Sequence, residues 1–157
     1  MVTRERFEQG MTLEQYVDQM GANRERFVQF LGEVALTSED RSALQRLGRR
    51  LNVLVITEDW CGDALDNFPV LARMVEGHPN IRMRVFLRDR NPDVMDQFLK
   101  HGRYRSIPVF AFLDEAMNEV ARFTERLPAP APELRRAPRS PEWRRSVIEH
   151  LRGLLQA

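Results

Sequence analysis

A chain of 157 residues can bury roughly 68–70% of its unfolded surface, enough for one hydrophobic core without metal or disulfide staples. Hydrophobic residues make up 43% and charged residues 30%, an ordinary globular balance that excludes disordered, fibrous and membrane-embedded classes. The 24 bases and 23 acids leave a formal charge of +1, so bulk charge gives no reason to expect a nucleic acid or a membrane as partner.

Residues 1–50 read as a helical extension. Leu13, Tyr16, Val17 and Met20 share one helical face, Phe27, Phe30, Leu31 and Val34 share another, and Gly21 and Gly32 are expected to interrupt these runs. A further helix opens at Ser38 with Glu39 and Asp40 in its first turn, buries Leu44 and Leu47, and closes at Gly48. Residues 51–126 then form an α/β core. Val53 to Ile56 is a continuous apolar run rich in β-branched residues, the pattern of a strand buried on both faces. A helix follows with Leu65, Phe68, Leu71, Ala72 and Val75 on one side, ending before Gly77.

Ile81 to Leu87 alternates, which predicts a second strand with Arg82 and Arg84 facing outward. Asn91 and Pro92 supply an N-cap and a first helical position for a short helix ending at Gly102. Ile107 to Leu113 and Glu119 to Thr124 read as a hairpin closing a mixed four-stranded sheet. Residues 127–140 are rich in proline and read as an extended linker. Ser140 and Pro141 open a last helix over 141–157, whose stripe of Trp143, Val147, Ile148, Leu151 and Leu154 must dock on the sheet. The whole reads as a single domain. No apolar segment follows the N-terminal charges, and the run from Ile107 to Leu113 is far too short to span a bilayer, so a cytoplasmic protein is expected.

Cys61 is the only cysteine, which excludes an internal disulfide and any multi-cysteine metal site. It falls between a buried strand and a helix start, where unpaired N–H groups and the helix dipole favour an anion and make a thiol more acidic than its usual ~8.5. Asp63, with Glu58 and Asp59 nearby, opposes thiolate formation by like-charge repulsion, so the sequence does not fix the sign of the net shift.

The segment Val53 to Pro69, VLVITEDWCGDALDNFP, resembles the active-site strand and helix of thioredoxins, with Trp60-Cys61-Gly62 at the turn and Pro69 inside the helix. Asp89, Asn91 and Pro92 resemble the motif after the next thioredoxin strand, and Ser106-Ile107-Pro108 resembles the segment carrying the family's cis-proline. The resemblance spans about Leu51 to Thr124. It implies a thioredoxin-like fold: a central mixed four-stranded sheet flanked by helices, preceded in this chain by a helical extension. The Trp-Cys-Gly-Asp-Ala wording is most similar to a bacterial subgroup of that family.

Three departures bear on function. Ala64 stands where thioredoxins carry a second cysteine, so a dithiol mechanism is excluded for this chain alone. Val55 and Val85 stand where thioredoxins have a buried aspartate and a nearby lysine, so the expected proton relay is missing. The resemblance therefore implies monothiol disulfide exchange or thiol reduction at Cys61, with Trp60, Gly62, Asp63, Ile107 and Pro108 lining the substrate groove. The adduct would be resolved by an external low-molecular-weight thiol acting as co-substrate, with no cofactor. The expected partners are protein or small-molecule disulfides and thiols, and the chain is expected to be a monomer or weak homodimer. A binding module without sulfur chemistry is the alternative, and a transient Cys61-linked dimer a third reading.

His78, His101 and His150 lie on different elements without metal-pair spacing, and the acids at 58, 59, 63 and 66 do not make a calcium loop, so no metal is expected. Arg135, Arg136, Arg139, Arg144 and Arg145 read as a solvated basic face, since they sit in no nucleic-acid-binding fold.

Overall fold

The computed structural model describes residues 1–157. Four helices come first: α1 (Arg4–Glu8), α2 (Leu13–Gln19), α3 (Arg24–Glu33) and α4 (Ser38–Gln45). The hydroxyls of Thr3, Thr12 and Thr37 each accept an N–H in the first turn of α1, α2 and α4, and Gln15 and Asp40 complete capping boxes. Gly32 does not break its run; it lies inside α3 with open space around it, on the solvent side of the helix.

Strand β1 (Leu51–Thr57) is buried along its whole length because it is central. It pairs in parallel with β2 (Ile81–Leu87) and antiparallel with β3 (Val109–Leu113), and β4 (Glu119–Thr124) completes the order β2-β1-β3-β4. Val53 sits between Met83 and Phe112 in the register. Between the strands run α5 (Gly62–Val75) and, after a 3-10 turn over Arg88–Arg90, α6 (Pro92–Met95); α7 (Pro132–Arg136) and α8 (Pro141–Leu155) follow.

The two sheet faces build two cores. Val53, Val55, Phe110, Phe112 and Phe123 join α5, α8 and the helices α2 to α4 in a cluster of 28 buried residues. Leu54, Ile56, Val109 and Ala111 face a smaller cluster of 13, covered by Phe7 of α1 and by Val94, Met95 and Phe98. Within the larger core Phe68 is fully buried among Tyr16, Phe27 and Phe110, with ring centroids 5.4–6.0 Å away.

The structure corrects the sequence reading at five places. Phe86, on the same side of β2 as Arg82 and Arg84, is buried, because Gly10 and Arg6 of the extension lie over its ring. Met11 exchanges two backbone hydrogen bonds with Val85 (2.8 and 2.7 Å), so the extension also covers part of the β2 edge. Asn91 precedes α6 but does not cap it; its amide donates to the Leu87 carbonyl (2.8 Å) and its oxygen accepts from Arg6 (2.7 Å). The third strand begins at Val109, after the proline, since Pro108 has no N–H to give a ladder. The segment 127–140 is not wholly extended: α7 forms within it, started by Pro132 at the first helical position, and Leu127 is buried.

Helix α8 starts as its sequence predicts, with the Ser140 hydroxyl accepting from Trp143 N–H (3.1 Å). It is fastened to the extension through Asp40, whose fully buried carboxylate accepts from Arg145 (2.7 Å) and Arg152 (3.0 Å). His78 joins α4 to the approach of β2: its Nδ1 accepts from Asn80 N–H (3.1 Å), leaving Nε2 to donate to the Leu44 carbonyl (2.7 Å). No helix is long and apolar enough to cross a membrane.

Candidate functional site

β1 ends at Thr57 and the chain turns through residues 58–61 into α5, so Cys61 is the residue immediately before the helix. Its sulfur lies 3.7 Å from the Ile107 carbonyl, which accepts from the thiol, and the Ile107–Pro108 peptide bond is cis. The structure thus brings together Cys61 and the segment that leads into Pro108, from opposite strands of the sheet. Trp60 stands beside the thiol, 55% exposed, whereas Cys61 itself is half-buried. Gly62 opens α5 at an ordinary φ with open space around it, so its backbone makes no demand for glycine.

The thiol's acidity differs from what a helix start alone predicts. Burial pushes the Cys61 thiol above its usual value and the Asp63 carboxylate pushes it the same way. The N–H groups of Ala64 and Asp63 and the Arg88 guanidinium favour the thiolate, yet the balance stays on the side of the thiol. Asp63 is itself held above the usual carboxylate range by burial, against a long contact to Arg126 (3.8 Å).

The other acids of this mouth are occupied by the backbone. The Asp59 carboxylate accepts from Gly21 and Ala22 N–H (2.8 and 3.1 Å), and Asn23 donates to the Asp59 carbonyl (2.9 Å), tying the α2–α3 link to the residues before Cys61. Glu58 accepts from Asp89 N–H (2.9 Å). They are ties between loops, and the sequence showed them only as charge.

Four further residues shape the site and went unnoticed in the sequence. Tyr16 is fully buried beside Thr57 at the end of β1, and burial pushes its hydroxyl up to about 12. Asn67 donates to the Asp63 carbonyl (2.8 Å) and the Glu125 carbonyl (3.4 Å). Glu125 N–H donates to the Pro108 carbonyl (2.7 Å), so Asn67 and Glu125 hold α5 against the proline loop. The guanidinium of Arg88 lies over the Trp60 ring (5.2 Å). Of these only Asn67 carried a signal, as the polar residue on the apolar side of its helix.

A mixed four-stranded sheet in this order, with a cysteine at the start of the first core helix opposite a cis-proline, defines a thioredoxin-like protein. The thioredoxin family model matches residues 10–136, and the chain belongs to that family. None of the curated proteins matches the chain. Among solved structures it is similar to a protein of unknown function from Pseudomonas aeruginosa, at 25% identity over 99% of this chain and 98% of that one, with a TM-score of 0.83. It is also similar to an HIV epitope scaffold, at 22% identity over 99% of this chain and 98% of that one, with a TM-score of 0.75.

Proposed function

We propose that the chain carries out monothiol disulfide exchange or thiol reduction at Cys61. The observation that carries this reading is the half-buried Cys61 sulfur at the head of α5, 3.7 Å from the Ile107 carbonyl beside cis-Pro108. In the forward step the Cys61 thiolate attacks one sulfur of a disulfide; a Cys61 mixed disulfide forms and the other sulfur leaves as a thiolate. A low-molecular-weight thiol then attacks the mixed disulfide at the substrate sulfur or at Cys61. Attack at Cys61 leaves the enzyme capped by the small thiol, and a second such thiol frees it as their disulfide. Ile107, Pro108, Trp60 and Asp63 line the approach. A reducing cytoplasm would supply the resolving thiol.

The raised thiol favours a second reading, a groove that binds an extended peptide with no sulfur chemistry. One experiment separates the two: reduction of a model disulfide by a small thiol, with wild type and Cys61→Ser compared. Faster turnover by wild type and a Cys61 mixed disulfide seen by mass spectrometry support exchange. Equal rates for the two proteins sink it, and peptide capture retained by Cys61→Ala then favours the binding module.

A further inference from the structure

Arg88 holds an unusual position for a residue that follows an edge strand. Its guanidinium centre lies 5.2 Å from the Trp60 ring centroid, its Nη1 donates to the Arg105 carbonyl (3.2 Å), and its Nε donates to Asp89 (2.9 Å). Trp60 belongs to the turn just before Cys61, and Arg105 to the segment that enters Ile107 and Pro108. One side chain therefore touches both segments between which the sulfur sits. It is mostly covered, with 22% of the side chain exposed, so its charge acts across a path only partly filled with water.

The charges around the sulfur are otherwise unfavourable to a thiolate. Asp63 faces it from α5, Glu58 and Asp59 precede it, and the Tyr16 hydroxyl approaches from α2 beneath Thr57. On the other side stand the Asp63 and Ala64 N–H groups and Arg88. Arg88 is in turn faced by Asp89, which itself hangs from Glu58 through its N–H.

We propose that Arg88 is a positioning residue for Cys61: its guanidinium bridges the two segments flanking the sulfur and presents the cation that favours negative charge there. The arrangement suits a guanidinium better than an ammonium, since the planar fork holds its Nε and Nη1 donors in fixed directions toward Asp89 and Arg105 while its centre lies over Trp60. The proposal deepens the Cys61 reading, yet its test does not depend on any disulfide being turned over.

The test is the pH dependence of Cys61 alkylation by iodoacetamide, an uncharged reagent, for wild type, Arg88→Gln and Arg88→Lys at low and high salt. Gln keeps hydrogen-bonding capacity and removes the charge; Lys keeps the charge and loses the fork. The expected result is a midpoint raised by about half a pH unit in Arg88→Gln, less than the ~1–3 units of an unshared opposite charge because Asp89 shares this one. Arg88→Lys should return most of the shift, and 1 M salt should shrink the difference between variants. An unchanged midpoint in Arg88→Gln, or equal shifts in both variants, overturns the proposal. Failure of disulfide turnover with the midpoints behaving as expected would instead overturn only the exchange reading.

Discussion

Two carboxylates one helix apart in the fold's logic show how differently the chain uses buried charge. Asp40 and Asp63 each occupy the first turn of a helix, α4 and α5; Asp40 is fully buried, whereas 36% of the Asp63 side chain remains exposed. Burial alone would raise Asp40, but Arg145, Thr37 and Arg152 surround it with donors and hold it well below the usual carboxylate range. Burial leaves Asp63 raised: Arg126 and Lys100 attract it only from a distance, and its neighbours Glu125 and Asp66 repel it. A saturated carboxylate is a fastener between α4 and α8. An under-satisfied one costs stability once it is ionised, and here its charge also opposes the neighbouring thiolate.

The largest effect that would break this contrast is expected from Asp40→Ala. Two arginines would lose their partner and α4 its capping box, a destabilisation of about 3 kcal/mol, the low end for a broken buried pair because both arginines keep some water. Urea unfolding measures it. The pH profile carries the sign: the folded carboxyl lies below its unfolded value of about 4, so its stabilisation is complete above that pH and fades as pH falls through and below it. Asp40→Ala should be flatter than wild type in acid, and its Cys61 alkylation midpoint should match wild type.

Asp63→Asn should move the opposite quantity. A raised carboxyl loses stability as pH rises from its unfolded value through its folded one, so removing the charge should leave stability at pH 7 unchanged or slightly higher. Because the Asp63 carboxylate opposes the thiolate, the alkylation midpoint of Cys61 should fall by a few tenths of a pH unit, as expected of a partly screened like charge. A midpoint that stays put in Asp63→Asn would show that the Asp63 charge does not reach the thiol.

Much of the frame was legible because it is written in local pattern. The run Val53 to Ile56, the apolar stripe from Leu65 to Val75, and the Ser140-Pro141 start each need only neighbouring residues to be recognised. The position of Cys61 opposite Pro108 followed from motif order. What escaped depends on distant partners. Arg82 and Arg84 marked the outward side of their strand, and nothing local showed that Phe86 on that side is covered by α1; Asp40 looked like an ordinary first-turn acid until two arginines of α8 reached it, and Arg88 had no feature distinguishing it from 22 other arginines. The thiol's acidity is of the same kind: the helix start is local and legible, whereas the burial that outweighs it comes from packing against the smaller core, to which Ile107 and Phe7 of the extension belong.

That last point yields the most diagnostic prediction. Tyr16 reaches from the extension to Thr57, directly beneath the turn that carries Cys61, and its hydroxyl is sealed from solvent. Tyr16→Phe keeps the ring that packs on Phe27 and Phe68 and removes only the hydroxyl beside Thr57, so thermal or urea unfolding should change by no more than about 1 kcal/mol. The Thr57 hydroxyl itself makes only a long contact to the Glu58 carbonyl (3.4 Å), so the end of β1 is lightly fastened on this side. If the extension serves only to cover the sheet, Cys61 alkylation should be indifferent to this change. If it holds the 58–61 turn in place, as the Asp59 ties to Gly21 and Ala22 indicate, native labelling should speed up severalfold at constant midpoint, the signature of a looser wall with the charges unmoved.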